Sequence, residues 1–192
     1  LCLVTGASSG IGAALAREFA AHGWDLALVA RREERLNDLA EEVKARHGVD
    51  SLIITADLAD PDAPDKIVDE IEAAGRQVDA LVNNAGAGQP GRFEELDWAA
   101  HARFIQLMIT SYVRLVHRVL PGMTERRFGR IINVSSVSAL LPSANAHTRF
   151  SGTLYPGAKS LLIKLSEALA LETEADNIHV TALCPGYTWS EF

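Results

Sequence analysis

Short unbroken apolar runs alternate with longer helix-patterned segments along the chain, and this alternation constrains the fold more than any other feature. Unbroken apolar runs are typical of strands that are covered on both faces. Between them, apolar residues recur about once per helical turn, which predicts amphipathic helices. Alternating strands and helices predict a doubly wound α/β fold built on a parallel sheet. The predicted strands are residues 1–5, 26–30, 51–55, 79–84, 129–135 and 179–185.

Capping residues and prolines predict where some of the helices begin and end. Asp60-Pro61 predicts one helix start, because aspartate caps a helix and proline suits its first position. Asp97 predicts the start of a long helix over 98–120, which Pro121-Gly122 would end. The other apolar stripes are Ile11, Leu15 and Phe19; Leu36, Leu39 and Val43; and Ile67 and Ile71.

Composition excludes several classes of function. The 192 residues, 48% of them hydrophobic and 22% charged, suit one globular domain over 1–192. A formal net charge of −7 argues against nucleic-acid binding. No apolar run reaches about 18 residues, so no membrane span is expected. The histidines and the two cysteines, Cys2 and Cys184, show no metal-binding spacing. Two cysteines fit a reducing compartment or set no constraint on the compartment, and we expect a cytoplasmic protein.

The first predicted strand leads into the turn "TGASSGIG", residues 5–12, with glycines at Gly6, Gly10 and Gly12. Glycines allow a tight turn and a close approach of the backbone to a ligand. The N-terminus of the following helix would offer N–H groups and a positive dipole end to a pyrophosphate. The spacing differs from the common G-x-G-x-x-G, and a purely structural turn stays an alternative.

Arg31 and Arg32 directly follow the second predicted strand. In a doubly wound nucleotide site this position faces the adenosine ribose, where an acid accepts from a 2′-hydroxyl and an arginine pairs with a 2′-phosphate. The two arginines therefore favour NADP over NAD, the alternative being an ordinary solvated helix start.

Tyr155 and Lys159 lie four residues apart in "YPGAK". Pro156 predicts a helix that begins at or near Tyr155 and runs to about residue 172. Residues four apart on a helix share a face, so the phenol and the ammonium would point the same way. Taken alone, the pair also fits an exposed face of an amphipathic helix.

Five motifs together resemble the short-chain dehydrogenase/reductase family over essentially the whole chain. They are "TGASSGIG" (5–12), "NNAG" (83–86), "INVSS" (132–136), "YPGAK" (155–159) and "CPG" (184–186). The resemblance implies a Rossmann fold and an NAD(P)(H)-dependent oxidoreductase acting on a small-molecule alcohol or carbonyl. It also implies homodimers or homotetramers, built from the long helix after Asp97 and the helix after Tyr155.

The resemblance assigns roles to individual positions. Ser136 is implied as the catalytic serine, Tyr155 as the acid/base and Lys159 as its partner, which also holds the nicotinamide ribose. No metal is implied. The residues implied in NADP binding are Thr5, Gly6, Ser8, Ser9, Gly10, Ile11, Gly12, Arg31, Arg32, Asp57, Leu58, Asn83, Ala85, Gly86, Tyr155, Lys159, Pro185 and Gly186.

The implied chemistry accounts for the spacing of Tyr155 and Lys159. Reduction of a ketone needs a proton donor for the developing alkoxide, and an unperturbed tyrosine, with a pKa of about 10, exchanges protons poorly near neutrality. An ammonium one turn away should lower the tyrosine pKa. Ser136 would hydrogen-bond the substrate oxygen and orient it.

The chain departs from the family pattern in three places. Met108 stands where the family often has an asparagine, which puts the family's proton relay in doubt. We expect the Met108 side chain to fill space in the core. A longer polar stretch than usual separates Ser136 from Tyr155, and we expect it to overhang the substrate. The chain starts inside an apolar run at Leu1 and stops soon after "CPG", so we expect both ends, including the C-terminal part of the family fold, to be missing.

Two other functions remain open from the sequence. One is a non-catalytic module that senses NADP(H) or serves as a partner subunit. The other is a sugar-nucleotide epimerase or dehydratase on the same fold, which would need a longer substrate domain.

Overall fold

Six parallel strands form one sheet in the part of the chain that the computed structural model describes, residues 1–142 and 152–188. The strand order is β3-β2-β1-β4-β5-β6, so the chain starts in the middle and winds outward in both directions. The predicted doubly wound parallel sheet is therefore confirmed. The strands are β1 (Cys2–Thr5), β2 (Leu26–Ala30), β3 (Ser51–Thr55), β4 (Ala80–Asn83), β5 (Gly129–Val134) and β6 (Ile178–Leu183).

Helices cover both faces of the sheet. They are α1 (Gly10–Ala21), α2 (Glu33–His47), α3 (Ala63–Ala73), α4 (Trp98–Ile105), α5 (Ser111–Arg126) and α6 (Leu154–Glu172). One core cluster joins the sheet to α1 and α2, and another joins it to α3, α5 and α6. Every residue of β1, β2 and β4 is buried, which explains their unbroken apolar sequences.

The buried face of α1 differs from its predicted stripe. Its fully or nearly fully buried positions are Gly12, Ala13, Ala16 and Ala20, whereas the larger apolar residues of the helix are only half-buried. Small side chains let the helix axis lie close to the sheet. Ile11, Leu15 and Phe19 then pack around the margin of the same core cluster.

The helix start predicted at Asp60-Pro61 is wrong by two residues. Asp60 lies in a turn in which its Oδ1 accepts from the Asp62 N–H at 3.0 Å. Helix α3 begins at Ala63, and Pro64 stands in its first turn. The aspartate–proline pair therefore forms the turn that leads into the helix, because the Asp60 side chain bonds two residues ahead within that turn.

The long helix after Asp97 begins as predicted but neither stays regular nor ends at Pro121-Gly122. Asp97 Oδ1 accepts from the Ala100 N–H at 2.8 Å. A π-helical turn, Gln106–Thr110, then separates α4 from α5, and α5 contains Pro121 and continues to Arg126. Pro121 lies on the exposed side of α5, where solvent can satisfy the carbonyl that loses its helical partner.

The extra polar stretch between Ser136 and Tyr155 falls mostly in residues 143–151, outside the described residues. The expectation that it overhangs the substrate therefore stays a prediction.

Candidate active site

A cleft of about 960 Å³ lies along the carboxyl ends of the strands, where ligands bind in doubly wound sheets. The glycine-rich turn and the segments after β2 and β3 line one part of it. The segments after β4 and β5, together with the start of α6, line the rest. Of the predicted site residues, the cleft is lined by Gly6, Ser8, Ser9, Gly10, Ile11, Arg31, Arg32, Asp57, Leu58, Ala85, Gly86, Ser136, Tyr155, Lys159, Pro185 and Gly186.

The glycine-rich turn leaves the N-terminus of α1 open toward the cleft. Gly6 has φ +65°, a conformation that favours glycine. Ser9 is the N-cap but makes no side-chain capping bond, and the first turn holds no acidic residue. The first N–H groups of α1 are thus not capped by a side chain, which suits an anionic ligand.

Three predicted cofactor residues, Thr5, Gly12 and Asn83, do not line the cleft. A Cβ at Gly12 would overlap the Gly6 carbonyl oxygen, so this glycine allows α1 to pack against the turn. The Asn83 side chain is fully buried and donates to Asn133 Oδ1 at 3.0 Å and to the Tyr112 carbonyl at 3.3 Å. Asn83 therefore joins β4 to β5 and α5.

Thr5 stabilises the segment after β4 through hydrogen bonds, although it does not line the cleft itself. Its Oγ1 accepts from the Asn84 and Ala85 N–H groups at 2.9 and 3.0 Å. The Asn84 side chain in turn donates to the Thr5 and Gly6 carbonyls at 2.9 and 3.3 Å. Asn84, which lines the cleft and which we did not predict, thereby joins the segment after β4 to the glycine-rich turn. Neighbouring residues at a strand end point to opposite sides, a signal that could have distinguished Asn84 from Asn83.

Arg32 is held against the glycine-rich turn. Its Nε and Nη2 atoms donate to Ser8 Oγ at 3.2 and 3.0 Å, and Nη2 also donates to Ser9 Oγ at 2.9 Å. Arg31 is exposed beside it and lines the same end of the cleft. Two guanidinium groups and two hydroxyls therefore converge at this end.

Asp57 forms an ion pair with Arg103, a cleft residue that the sequence did not reveal. Asp57 Oδ2 accepts from Arg103 Nη2 at 2.6 Å, and Oδ1 accepts from the Ala59 N–H at 3.0 Å. Partial burial alone would raise the pKa of Asp57, but the Ala59 amide and the Arg103 and Arg31 guanidinium groups lower it. Asp57 is therefore a carboxylate at neutral pH.

Ser136, Tyr155 and Lys159 meet at the other end of the cleft. A hydrogen bond from Ser136 reaches the Tyr155 hydroxyl. Lys159 is 3% exposed, and its Nζ donates to the Val134 carbonyl at 2.6 Å. The same Nζ lies 5.4 Å from the ring centroid of Tyr112 and 5.6 Å from that of Tyr155. The three side chains predicted to be catalytic are thus together.

The pKa expectation for Tyr155 is wrong for this structure. Burial raises the pKa of the Tyr155 hydroxyl above its usual range, against the opposing effect of the hydrogen bond from Ser136. Burial also lowers the pKa of Lys159 from 10.5 to about 7. A lysine that is partly neutral near pH 7 lowers the pKa of Tyr155 less than a fully charged ammonium would.

Met108 lies in the π-helical turn and is fully buried. Its Sδ accepts from the Ala87 N–H at 3.4 Å. The side chain also lies against Gly86, where a Cβ would be 3.3 Å from the sulfur. Met108 therefore does more than fill the core, because it contacts the backbone that lines the cleft after β4.

Comparison with known proteins decides the family. A family model described as short chain dehydrogenase matches residues 1–192. The chain belongs to the short-chain dehydrogenase family. This short-chain dehydrogenase is 39% identical over 195 residues to a short chain dehydrogenase of Pseudocercospora fijiensis, covering 98% of this chain and 60% of that relative.

Two further relatives of this short-chain dehydrogenase cover it almost completely. Sulfoacetaldehyde reductase 2 of Chromohalobacter salexigens is 36% identical over 194 residues, with 100% of this chain and 74% of the relative covered. A solved short-chain dehydrogenase from Sphingobium yanoikuyae in complex with NADPH matches with a TM-score of 0.88 at 35% identity, covering 99% of this chain and 72% of that one. The match therefore extends over the glycine-rich turn and over Ser136, Tyr155 and Lys159.

Within the described part of this short-chain dehydrogenase, no helix is both long enough and apolar enough to cross a bilayer. The same residues contain no group of three or more histidine, cysteine or acidic side chains arranged to hold a metal ion.

Proposed function

We propose that this chain is an NADP(H)-dependent oxidoreductase that interconverts a carbonyl and an alcohol through Ser136, Tyr155 and Lys159. The observation that carries the proposal is that one continuous cleft is lined both by the cluster around Arg32 and by these three side chains. The proposed chemistry goes beyond family membership, because it assigns a role to each end of the cleft.

The residues present fit a dinucleotide phosphate. The uncapped N-terminus of α1, at Gly10 and Ile11, would bind the pyrophosphate, and Asp57 would accept from the adenine amino group. Arg31 and Arg32 would pair with the 2′-phosphate. A nicotinamide cofactor supplies hydride exchange with the substrate carbon.

NADP(H) is proposed over NAD(H) because Arg32 is already oriented. The Ser8 and Ser9 hydroxyls hold its guanidinium beside the turn that would receive the phosphates. Less side-chain freedom is then lost on binding, which favours affinity. The relative from Sphingobium yanoikuyae in complex with NADPH also supports this preference.

At the catalytic end, Ser136 would donate a hydrogen bond to the substrate oxygen and hold it beside Tyr155. In the direction of reduction, Tyr155 would give its phenolic proton to the developing alkoxide. The raised pKa of Tyr155 keeps that proton in place at neutral pH, so the ligand-free site suits carbonyl reduction. Lys159 would reach the cofactor ribose from the floor of the cleft.

Turnover of NADPH with a panel of ketones and aldehydes tests this proposal. The wild-type protein should consume NADPH with at least one of them. Tyr155→Phe should lower kcat by about 10²–10⁴-fold, the usual contribution of a general acid. Its affinity for NADPH, measured by calorimetry, should stay within about twofold of wild type because the lost interaction forms in the transition state. Wild-type turnover in Tyr155→Phe would refute the assigned mechanism.

A non-catalytic NADP(H)-binding role is the second candidate. Met108 at the position where the family often has an asparagine favours it, as does the lowered pKa of Lys159, because burial leaves this lysine only partly charged near neutrality. The same experiment separates the two, since a sensor would bind NADPH without turning over any substrate in the panel.

We further propose a homodimer in the cytoplasm. Most apolar residues of α5 pack inside the chain itself, but Trp98 on α4, Val113 on α5, and Leu161 and Leu171 on α6 are 73%, 41%, 37% and 78% exposed. Burial of these side chains between two copies would remove them from water. Cys2 and Cys184 are free thiols, which suits a reducing compartment.

A further inference from the structure

Ser138 lies directly against the proposed catalytic serine. It belongs to a 3₁₀ turn, Val137–Ala139, for which Ser136 is the N-cap. The Ser138 N–H donates to Ser136 Oγ at 3.1 Å, and the Ser138 hydroxyl donates to the same oxygen at 3.0 Å. Ser138 also lines the cleft. No motif singled out this third serine of "SSVS", although its spacing from Ser136 suits a side chain-to-backbone turn.

The contact with Ser138 limits the hydrogen bonds that remain available to the Ser136 hydroxyl. A serine hydroxyl has one donor hydrogen and two acceptor lone pairs. Both lone pairs of Ser136 Oγ are engaged by Ser138, one by its N–H and one by its hydroxyl. The Ser136 hydroxyl can then accept no further hydrogen bond. It can act toward the Tyr155 hydroxyl or a substrate oxygen only as a donor.

We infer that Ser138 is a positioning residue that fixes the Ser136 hydroxyl as a donor toward Tyr155 and the substrate oxygen. This inference rests on the proposed function for its catalytic meaning. Without the Ser138 hydroxyl, one Ser136 lone pair is released, and the Ser136 hydroxyl can rotate to other partners. Ser138 therefore acts on the acid/base group through Ser136.

The direction of the hydrogen bond predicts the effect on Tyr155. A donor to the phenolic oxygen favours the phenolate, and the hydrogen bond from Ser136 does lower the pKa of Tyr155 against its burial. Weakening that bond should raise the pKa of Tyr155. A residue that only shaped the turn would leave this pKa unchanged.

The chain offers a matched control on the same turn. Ser160 Oγ lies 3.1 Å from the Ala139 carbonyl oxygen and 2.9 Å from the Pro156 carbonyl oxygen, and its one hydroxyl hydrogen is shared between these two acceptors, which links the turn to α6. Ser160 makes no hydrogen bond with Ser136 among the described residues. Ser160→Ala removes a serine hydroxyl that supports the turn but leaves the Ser136 lone pairs engaged.

Three variants test the inference: Ser138→Ala, Ser138→Thr and Ser160→Ala, each first checked for a wild-type thermal transition. The Tyr155 titration is followed by NMR on protein with ¹³Cζ-labelled tyrosine, and Tyr155→Phe assigns the signal. Ser138→Ala should raise the pKa of Tyr155 by a few tenths of a unit, Ser138→Thr should restore the wild-type value, and Ser160→Ala should match wild type. An unchanged titration in Ser138→Ala, or an equal shift in Ser160→Ala, would overturn the inference.

Kinetics provides the second readout. Ser138→Ala should lower kcat about threefold to tenfold, the effect of one hydrogen bond, with KM unchanged. A rise in KM with unchanged kcat would show that Ser138 binds substrate directly and would also overturn the inference. The NMR titration needs no turnover, so a protein that is inactive on every carbonyl would refute the proposed function while the titration still decides the role of Ser138.

Discussion

Replacing Lys159 by methionine should stabilise the ligand-free protein at and below neutral pH while abolishing turnover. Lys159 is 3% exposed and carries its ammonium into the floor of the cleft. Burial lowers its pKa from 10.5 to about 7, because the charged form loses its hydration. Methionine keeps most of the apolar stem and removes the charge.

The magnitude follows from the two pKa values. A fall from 10.5 to about 7, at about 1.4 kcal/mol per unit, corresponds to about 5 kcal/mol of destabilisation while the lysine is charged in both states. The variant also loses the bond from Nζ to the Val134 carbonyl and the contacts with two tyrosine rings, each of which contributes about 1 kcal/mol. The net gain expected below pH 7 is therefore roughly 2 kcal/mol.

The pH dependence distinguishes this cause from better packing. Below about pH 7 Lys159 is protonated in both states, and the penalty is complete. Between about pH 7 and 10.5 the unfolded state binds one more proton than the folded state, so wild-type stability rises with pH. The advantage of Lys159→Met should shrink by about 1.4 kcal/mol for each pH unit in this window.

Urea denaturation of both proteins without cofactor, at pH 6, 7, 8 and 9, measures the difference. Lys164→Met is the control, because Lys164 lies on the same helix with its side chain 79% exposed and paired with Glu167. It should show no pH-dependent difference from wild type over this range. A constant difference between Lys159→Met and wild type from pH 6 to 9 would refute the reasoning.

Three further outcomes are expected. Arg32→Asp should reverse the cofactor preference, with NADPH affinity falling about tenfold to a hundredfold and NADH affinity retained, because a charge-assisted pair contributes about 1.5–3 kcal/mol. Titration of both cofactors checks this, and an unchanged ratio of their affinities would contradict it. Met108→Leu keeps the volume of the side chain but removes the acceptor for the Ala87 N–H, so kcat should fall severalfold with little loss of thermal stability. Steady-state kinetics and thermal unfolding measure the two effects, and a wild-type kcat would show that the sulfur contributes packing alone. Light scattering at micromolar concentration should give a dimer, and Leu171→Glu should shift it toward monomer, whereas a wild-type monomer would refute the proposed interface.

Local patterns in the sequence were enough to predict the strands and the fold class. The predicted ranges 26–30 and 51–55 match β2 and β3 residue for residue, and the others differ at their ends by one or two residues. For β1, β2 and β4 this worked because strands covered on both faces must be apolar at every position, a requirement that is visible without knowing their neighbours. The motifs likewise placed Ser136, Tyr155 and Lys159 at one site before the strand order was known.

Tertiary structure decided which neighbouring residues face the cleft and what their surroundings do to them. Asn84 rather than Asn83 lines the cleft, and Asp57 is paired with Arg103, which is distant in the sequence. The Tyr155–Lys159 spacing correctly placed two side chains together, yet the sequence could not reveal that burial raises one pKa and lowers the other. The free energy of a buried charge depends on every group packed around it, and those groups come from β5, α5 and α6 only after the chain has folded.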